Sequence, residues 1–196
     1  AERRLSPTVP LAAATDFSAT ILLEDLEPGN RYVYEVLLDG ERVAGPEELA
    51  FHTTPLWQWR RDPPAFRVAL GSCAYINEPA YDRPGTPYGS GFGVFAQIAS
   101  ERPEMMLWLG DNVYLREPDF DSRSGMAHRY RHARGFGPLQ PLLRATHHVA
   151  IWDAHDFGPN GSNASFVFAP TARALFRRDW PSPMAGARGP AGIQTA

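Results

Sequence analysis

The stretch from residue 105 to residue 114 joins an uninterrupted apolar run to a polar ending. Residues 105–109 (MMLWL) are all apolar, which is typical of a parallel-sheet strand that is covered on both faces. Gly110 then allows a sharp turn, and Asp111 and Tyr114 follow it directly. In open α/β sheets the ligand lies just beyond the carboxyl ends of the strands. The pattern therefore indicates a functional position for Asp111 and Tyr114, although a capping Asp and a packing Tyr would look the same.

Two more strand-like stretches accompany this one, separated by helical patterns. Residues 66–70 run into Gly71-Ser72-Cys73, and residues 148–152 run into the tetrapeptide DAHD at 153–156. Apolar residues at helical spacing predict helices over about 91–101, 125–145 with a break near 135–138, and 171–180. Strand, helix and strand in this order predict a right-handed βαβ unit and hence parallel strands.

Residues 1–54 have the pattern of a small β region. Strands are predicted over 17–23, 31–38 and 49–54, and Asp39-Gly40 is a strong hairpin signal. The Pro28-Gly29 turn with Tyr32 three residues later is typical of the tyrosine corner of immunoglobulin-like sandwiches. We interpret residues 1–54 as a partial fibronectin-like β domain, 55–64 as a proline-rich linker and 65–196 as an α/β domain.

Polar clusters follow all three strands of the predicted α/β domain. If the strands are parallel, the clusters meet at one edge of the sheet. A thiolate, carboxylates, a phenolate and an imidazole together resemble a metal site, and the thiolate and phenolate favour ferric iron over zinc or magnesium. Each residue also has a structural explanation, such as a core cysteine, a packed tyrosine or a solvated histidine. The clusters consist of Cys73, of Asp111 and Tyr114, and of Asp153, His155 and Asp156.

Composition and charge narrow the classes of function. The net charge is −3 and all 19 cationic residues are arginine, which argues against nucleic acid as a partner and excludes lysine chemistry. The single cysteine, Cys73, excludes an internal disulfide. We expect no membrane span and no signal peptide in this chain. The cationic positions of residues 128–134 (HRYRHAR) predict a solvated helix face, with substrate steering as the alternative.

Three motifs together resemble the PhoD-like alkaline phosphatases and phosphodiesterases, which belong to the calcineurin-like metallophosphoesterases. They are GSC at residues 71–73, GDNVYLRE at 110–117 and WDAHDFGPN at 152–160. The resemblance covers nearly the whole chain. It implies a partial metallophosphoesterase-type sheet with flanking helices, preceded by a partial fibronectin- or immunoglobulin-like β domain. It also implies hydrolysis of phosphate mono- or diesters, including phospholipid head groups, in a periplasmic or secreted protein.

The resemblance assigns a role to each motif residue. It implies a site with ferric iron and calcium ions in which Cys73, Asp111 and Tyr114 bind the iron. His155 would protonate the leaving oxygen or contact the phosphate. The remaining assignments are Arg116 as a catalytic phosphate contact, Asp153 as a further metal ligand, and Asn112, Asp156 and Asn160 as substrate-binding residues.

The chain departs from the family pattern at two positions. The family usually has a second Asp where this chain has Ala154, and often an Asp where it has Asn163. A methyl group cannot bind a metal, so the second metal site is incomplete. We expect weak or absent phosphatase activity from this chain. The alternative is a degenerate, non-catalytic protein that binds phosphate or metal, or serves in an interaction.

Overall fold

The computed structural model describes residues 3–43, 45, 48–82, 84, 85 and 91–181. Short 3-10 turns occur at Ala13–Thr15 and Gly137–Leu139. Strands within the described residues are β1 (Arg31–Tyr34), β2 (Leu37–Leu38), β3 (Glu41–Arg42), β4 (Leu49–His52), β5 (Val68–Gly71), β6 (Met105–Leu109) and β7 (His147–Ile151). The α-helices there are α1 (Gly93–Ser100), α2 (Arg123–Gly135), α3 (Gln140–Ala145), α4 (Ala154–Phe157) and α5 (Ala169–Asp179).

The amino-terminal part contains two short antiparallel ladders. Strand β1 pairs with β4, and β2 pairs with β3 across Asp39 and Gly40. Both turn residues have positive φ, 51° and 86°, as a tight hairpin turn requires. The predicted hairpin is confirmed. The strand predicted over residues 17–23 is wrong, because that segment is irregular and its large apolar side chains are exposed.

Tyr32 forms the contact that its position after the Pro28-Gly29 turn predicts. The backbone N–H of Glu27 donates to the Tyr32 hydroxyl oxygen at 2.7 Å. Thr53 Oγ1 donates to the carbonyl oxygen of Glu27 at 2.6 Å, which ties the same turn to the end of β4. The tyrosine corner is therefore present as a local contact, whereas the fibronectin-like character of residues 1–54 and the domain boundaries stay predictions.

The α/β part is built on a parallel sheet of strand order β5-β6-β7. Leu70 pairs with Leu107, and Leu107 pairs with Val149. Because the strands are parallel, their carboxyl ends lie at one edge of the sheet. All three strands predicted for this part of the chain are confirmed. The helices predicted near residues 91–101, 125–145 and 171–180 are confirmed as α1, as α2 and α3 with the predicted break, and as α5.

Burial of β6 alternates along the strand. Met106 and Trp108 are buried in the single core cluster with side chains of α1, α2, α3 and α5. On the opposite face, Leu109 is 44% exposed, and Leu70, the β5 partner of Leu107, is 62% exposed. The prediction that both faces of this strand are covered is wrong. A run of apolar residues is compatible with either arrangement, and only the packing of the helices distinguishes them.

The helices of the described part of the chain are all too short or too polar to cross a bilayer.

Candidate metal and phosphate site

Gly110 brings the end of β6 against the end of β7. Its φ is +95°, and a Cβ atom at this position would lie 2.6 Å from Cβ of Asp153. Asp111 follows with a φ of 51°, a left-handed conformation that Asp tolerates better than most residues. This turn directs the Asp111 carboxylate towards the carboxyl end of the neighbouring strand β7.

Asp111 holds His155 by two hydrogen bonds. The backbone N–H of His155 donates to Oδ1 at 3.0 Å, and its ring Nδ1 lies 2.9 Å from Oδ2. A carboxylate can only accept, so Nδ1 carries the hydrogen and Nε2 of the neutral ring remains free to bind a proton. Each oxygen of Asp111 keeps a second lone pair for another partner. Asp111 is buried, whereas the His155 ring is partly accessible.

Tyr114 packs against both His155 and Tyr75. Its ring centroid lies 4.4 Å from that of His155 at an interplanar angle of 33°, and 4.9 Å from that of Tyr75. Burial, followed by a hydrogen bond with Cys73 and the charge of Asp111, raises the pKa of Tyr114 above its usual range. The phenol, the thiol and the carboxylate are therefore close neighbours.

Cys73 completes this group from the end of β5. Its backbone N–H donates to the carbonyl oxygen of Gly110 at 3.1 Å, and its Sγ lies 4.0 Å from Oδ2 of Asp111. The structure thus brings together Cys73, Asp111, Tyr114 and His155 from three different strand ends.

Asp156 lies beneath this edge of the sheet instead of on it. Its side chain is 0% exposed. Oδ1 accepts backbone N–H groups of Asn112 at 2.9 Å and Val113 at 3.1 Å, and Oδ2 accepts that of Asp153 at 3.0 Å. Burial raises the pKa of Asp156 to about 7, although the three backbone donors oppose the shift. The residue connects the loops after β6 and β7, and its role in substrate binding stays a prediction.

Two other motif residues also form mainly structural contacts. Asn112 is buried, and its Nδ2 donates to the carbonyl oxygen of Ile151 at 2.8 Å. Its Oδ1 is buried without a hydrogen-bond partner in the described structure. Asp153 caps helix α4, with its side chain accepting from the N–H of Ala154 at 2.8 Å.

The two predicted phosphate contacts differ in their surroundings. Arg116 forms an ion pair with Glu117 at 3.2 Å, and its side chain is 18% exposed. Asn160 is exposed in the turn after α4. Neither is shown in contact with the Asp111 carboxylate.

The donor types of Cys73, Asp111 and Tyr114 suit one cation, and the spacing of Cys73 and Asp111 is compatible with it. Two ligands of one ion at about 2.1 and 2.3 Å lie about 3–4 Å apart, and the Sγ-to-Oδ2 distance is 4.0 Å. No group of three or more His, Cys, Asp and Glu side chains suited to a metal was found in the described part of the chain. The set above uses two such residues and a tyrosine. The second-ion position that the resemblance implies lacks one ligand, because this chain has a methyl group at Ala154, and the Asp153 carboxylate accepts the N–H of Ala154 in the helix cap.

The amino-acid sequence carried no signal for Tyr75, and its signal for Arg129 was misleading. Arg129 was placed on a solvated helix face, and that prediction is wrong, because it is buried between Asp82 and Asp119. No local pattern marks these partners, which lie far from Arg129 in the sequence.

The fold and this edge of the sheet define an α/β protein with a polar site at the carboxyl ends of parallel strands. No protein-family model matches the sequence, and no curated protein matches it. Among solved structures the chain is similar to one titled "Structure of PhoD", with 18% identity and a TM-score of 0.65. The match covers 86% of this chain and 34% of that one. The chain thus has the fold of about a third of PhoD, and the predicted PhoD-like resemblance is confirmed at the level of the fold.

Proposed function

We propose that this chain carries a phosphate-ester hydrolysis site that uses a ferric ion bound by Cys73, Asp111 and Tyr114. The observation that supports this best is the meeting of side chains from three strand ends around one carboxylate. Oδ2 of Asp111 lies 2.9 Å from Nδ1 of His155 and 4.0 Å from Sγ of Cys73. The PhoD-like fold and the three sequence motifs support the same reaction class.

The donor set suits a high-valent cation. Burial and the neighbouring Cys73 and Asp111 raise the pKa of Tyr114, and a cation among these groups would favour the phenolate. When bound, the ion would polarise the phosphoryl group and lower the pKa of a water molecule. The Tyr114 ring contacts the rings of both His155 and Tyr75, so we expect its hydroxyl to need little reordering to bind.

His155 is the proposed general acid. Asp111 fixes the tautomer with the hydrogen on Nδ1, so Nε2 is the atom that takes up a proton and delivers it to the leaving oxygen. A general acid of this kind contributes about 10²–10⁴-fold to the rate. Arg116 and Asn160 are proposed to contact phosphate oxygens, because both are at least partly accessible.

The substrate class is a phosphate mono- or diester, including a phospholipid head group. We propose that calcium completes the site only where a ligand replaces Ala154. We also propose export to the periplasm or the exterior, on the basis of the family resemblance. The second candidate is a non-catalytic phosphate- or metal-binding protein. It is favoured by one observation, the methyl group of Ala154 at the first position of α4 beside the capping Asp153.

Ferric titration of the metal-free chain tests the ligand set. Bound iron with a phenolate ligand gives a visible charge-transfer band, so the chain is expected to become coloured. Tyr114→Phe is expected to abolish the band. Tyr75→Phe is the matched control, because this ring touches Tyr114 without belonging to the set, and it is expected to keep the band. A band of unchanged strength in Tyr114→Phe would remove that ligand from the proposal.

Turnover of p-nitrophenyl phosphate then separates the two candidate functions. Slow turnover that is lost in His155→Ala supports the enzyme. Phosphate binding measured by calorimetry, without turnover at any metal load, supports the binding protein.

A further inference from the structure

Arg129 joins the two loops that carry the proposed metal ligands. It lies on helix α2, and its Nη1 and Nη2 each donate to the Asp82 carboxylate at 3.1 Å. Its Nε donates to Oδ2 of Asp119 at 2.8 Å. Asp82 lies in the segment that follows β5 and Cys73, and Asp119 lies in the segment that follows β6 and Tyr114. One guanidinium group therefore connects both segments.

We call these three side chains the Arg129 cluster (Asp82, Asp119 and Arg129). They are 0%, 3% and 2% exposed, respectively. Glu78 adds a longer ion pair with Arg129 at 3.8 Å. Burial alone would lower the pKa of Arg129, but the two carboxylates outweigh it and raise that pKa. A planar guanidinium can serve two carboxylates in fixed directions, which the flexible ammonium group of lysine cannot reproduce.

Each carboxylate also orders the backbone of its own loop. Asp82 Oδ2 accepts the N–H of Glu78 at 2.6 Å, and Asp119 Oδ2 accepts the N–H of Arg116 at 2.8 Å. Helix α2 lies close to the second loop, because a Cβ at Gly125 would be 2.6 Å from the carbonyl oxygen of Asp119. The guanidinium thus connects two loops, each of which is also ordered by its own hydrogen bonds.

The loops in turn place the ligands. The segment up to Asp82 contains Cys73 and Tyr75, and the segment up to Asp119 contains Asp111 and Tyr114. The edge contact between Tyr75 and Tyr114 at 4.9 Å joins the two segments a second time, next to the site. A shift of one segment against the other would separate the thiol from the phenol.

We propose that Arg129 is a positioning residue of the site: it holds the loop bearing Cys73 against the loop bearing Tyr114, and so sets the spacing of the metal ligands. The inference rests on the proposed function for the identity of the site. It concerns residues that touch neither metal nor substrate, and the loop geometry can be measured without metal.

Arg134 provides the matched control. It lies on the same helix and is partly buried, but its guanidinium stacks on Trp180 at 3.8 Å and donates to the carbonyl oxygen of Asp179. Arg134→Lys should destabilise the fold through the loss of comparable contacts, without acting on either ligand loop. A difference between the two substitutions therefore reports positioning and not stability.

The test compares Arg129→Lys and Arg129→Met with Arg134→Lys in the complete chain. Amide hydrogen exchange of the metal-free protein is expected to rise selectively in residues 73–82 and 112–119 in the Arg129 variants. Ferric affinity is expected to fall about 10–100-fold, the usual effect of losing a partner that orients metal ligands. Arg134→Lys is expected to change that affinity less than about 3-fold and to show no selectivity for the two loops.

Single-loop variants keep the inference testable if the Arg129 variants do not fold. Asp82→Asn should raise exchange mainly in 73–82, and Asp119→Asn mainly in 112–119. Equal effects of Arg129→Lys and Arg134→Lys, on exchange and on ferric affinity alike, would overturn the inference. If the wild-type chain binds no ferric iron, the proposed metal site is rejected, and only the hydrogen-exchange pattern tests the role of Arg129. Faster exchange confined to the two loops then supports Arg129 as a positioning residue. Faster exchange throughout the chain rejects that role.

Discussion

The indole N–H of Trp108 donates to Nδ1 of His148 at 3.0 Å, between neighbouring strands β6 and β7. Because Nδ1 accepts this bond, the hydrogen of the neutral ring is on Nε2, which lies 3.3 Å from the carbonyl oxygen of Leu143. Burial, and next the positive charge of Arg134, lowers the pKa of His148 to about 4. A protonated ring would place two N–H groups against each other, so the folded state keeps His148 neutral.

Acid should weaken the fold through His148. Its pKa is about 6.5 in the unfolded chain and about 4 in the folded one, so the unfolded state binds more protons between these values. The free energy of unfolding should therefore fall as the pH drops from about 7 to 4, by at most about 3 kcal/mol. Chemical denaturation of the wild type and of His148→Asn, which cannot titrate, measures the difference.

The comparison with His148→Asn is necessary because Asp156 has the opposite effect on how the free energy of unfolding changes with pH. Its folded-state pKa is raised to about 7 from 3.8, so the folded state binds more protons there and its contribution to stability grows as the pH falls. Both proteins share this contribution, and subtraction removes it. Parallel pH profiles of the two proteins would contradict the assignment of His148.

Substitution of Gly110 should cost more unfolding free energy than substitution of a glycine in an ordinary turn. Gly110→Ala places a Cβ 2.6 Å from the Asp153 Cβ at a φ of +95°. Gly40→Ala is the matched control, since its φ is +86° and nothing lies within 4 Å of the added atom. The control should lose about 1–2 kcal/mol of unfolding free energy from strain alone, and Gly110→Ala should lose clearly more. Equal losses in thermal unfolding would show that the contact with Asp153 relaxes freely.

The corner hydroxyl of Tyr32 should stabilise the β region. Tyr32→Phe removes the acceptor of the Glu27 N–H at 2.7 Å and should lower the unfolding free energy by about 1 kcal/mol. Tyr34→Phe on the same strand, where the ring contacts Phe51, should change it by less than about 0.5 kcal/mol. Urea denaturation of both variants checks this, and a smaller loss for Tyr32→Phe than for Tyr34→Phe would reject it.

Replacement of Ala154 should distinguish an enzyme that lacks one metal ligand from a non-catalytic binding protein. Ala154→Asp adds a carboxylate at the first position of α4, where an acidic group is also favourable to the helix. If the second metal site is the only missing part, phosphatase activity with added calcium should rise by at least about 10-fold over the wild type, which is about 1.4 kcal/mol in barrier height. Ser162→Asp, in the turn after α4, controls for added charge. No gain would favour the binding role.

Local patterns predicted the parts of this chain that local chemistry controls. The Asp39-Gly40 hairpin and the Tyr32 corner depend on residues close in sequence, and both are present. The meeting of Cys73, Asp111 and His155 was also predictable, because parallel strands force their carboxyl ends to one edge whatever the loops do. The ligand roles of these residues stay predictions.

The predictions that were wrong depended on which distant segments of the chain pack against a residue. Residues 17–23 have the composition of a strand, but a strand needs a partner with free backbone groups. Leu109 belongs to an apolar run, yet its face of the sheet is only half covered. Arg129 has the sequence context of a surface residue, and only its approach to Asp82 and Asp119 makes burial of its charge favourable.

The amino-acid sequence by itself determined the order of the elements, the turns and the identity of the groups that gather at the sheet edge. These follow from backbone preferences and from strand direction, which act over a few residues. The tertiary structure decided which polar groups remain accessible. Asp156 and Arg129 are ionisable residues but lie in the interior, because hydrogen bonds with distant segments compensate for the cost of removing their side chains from water.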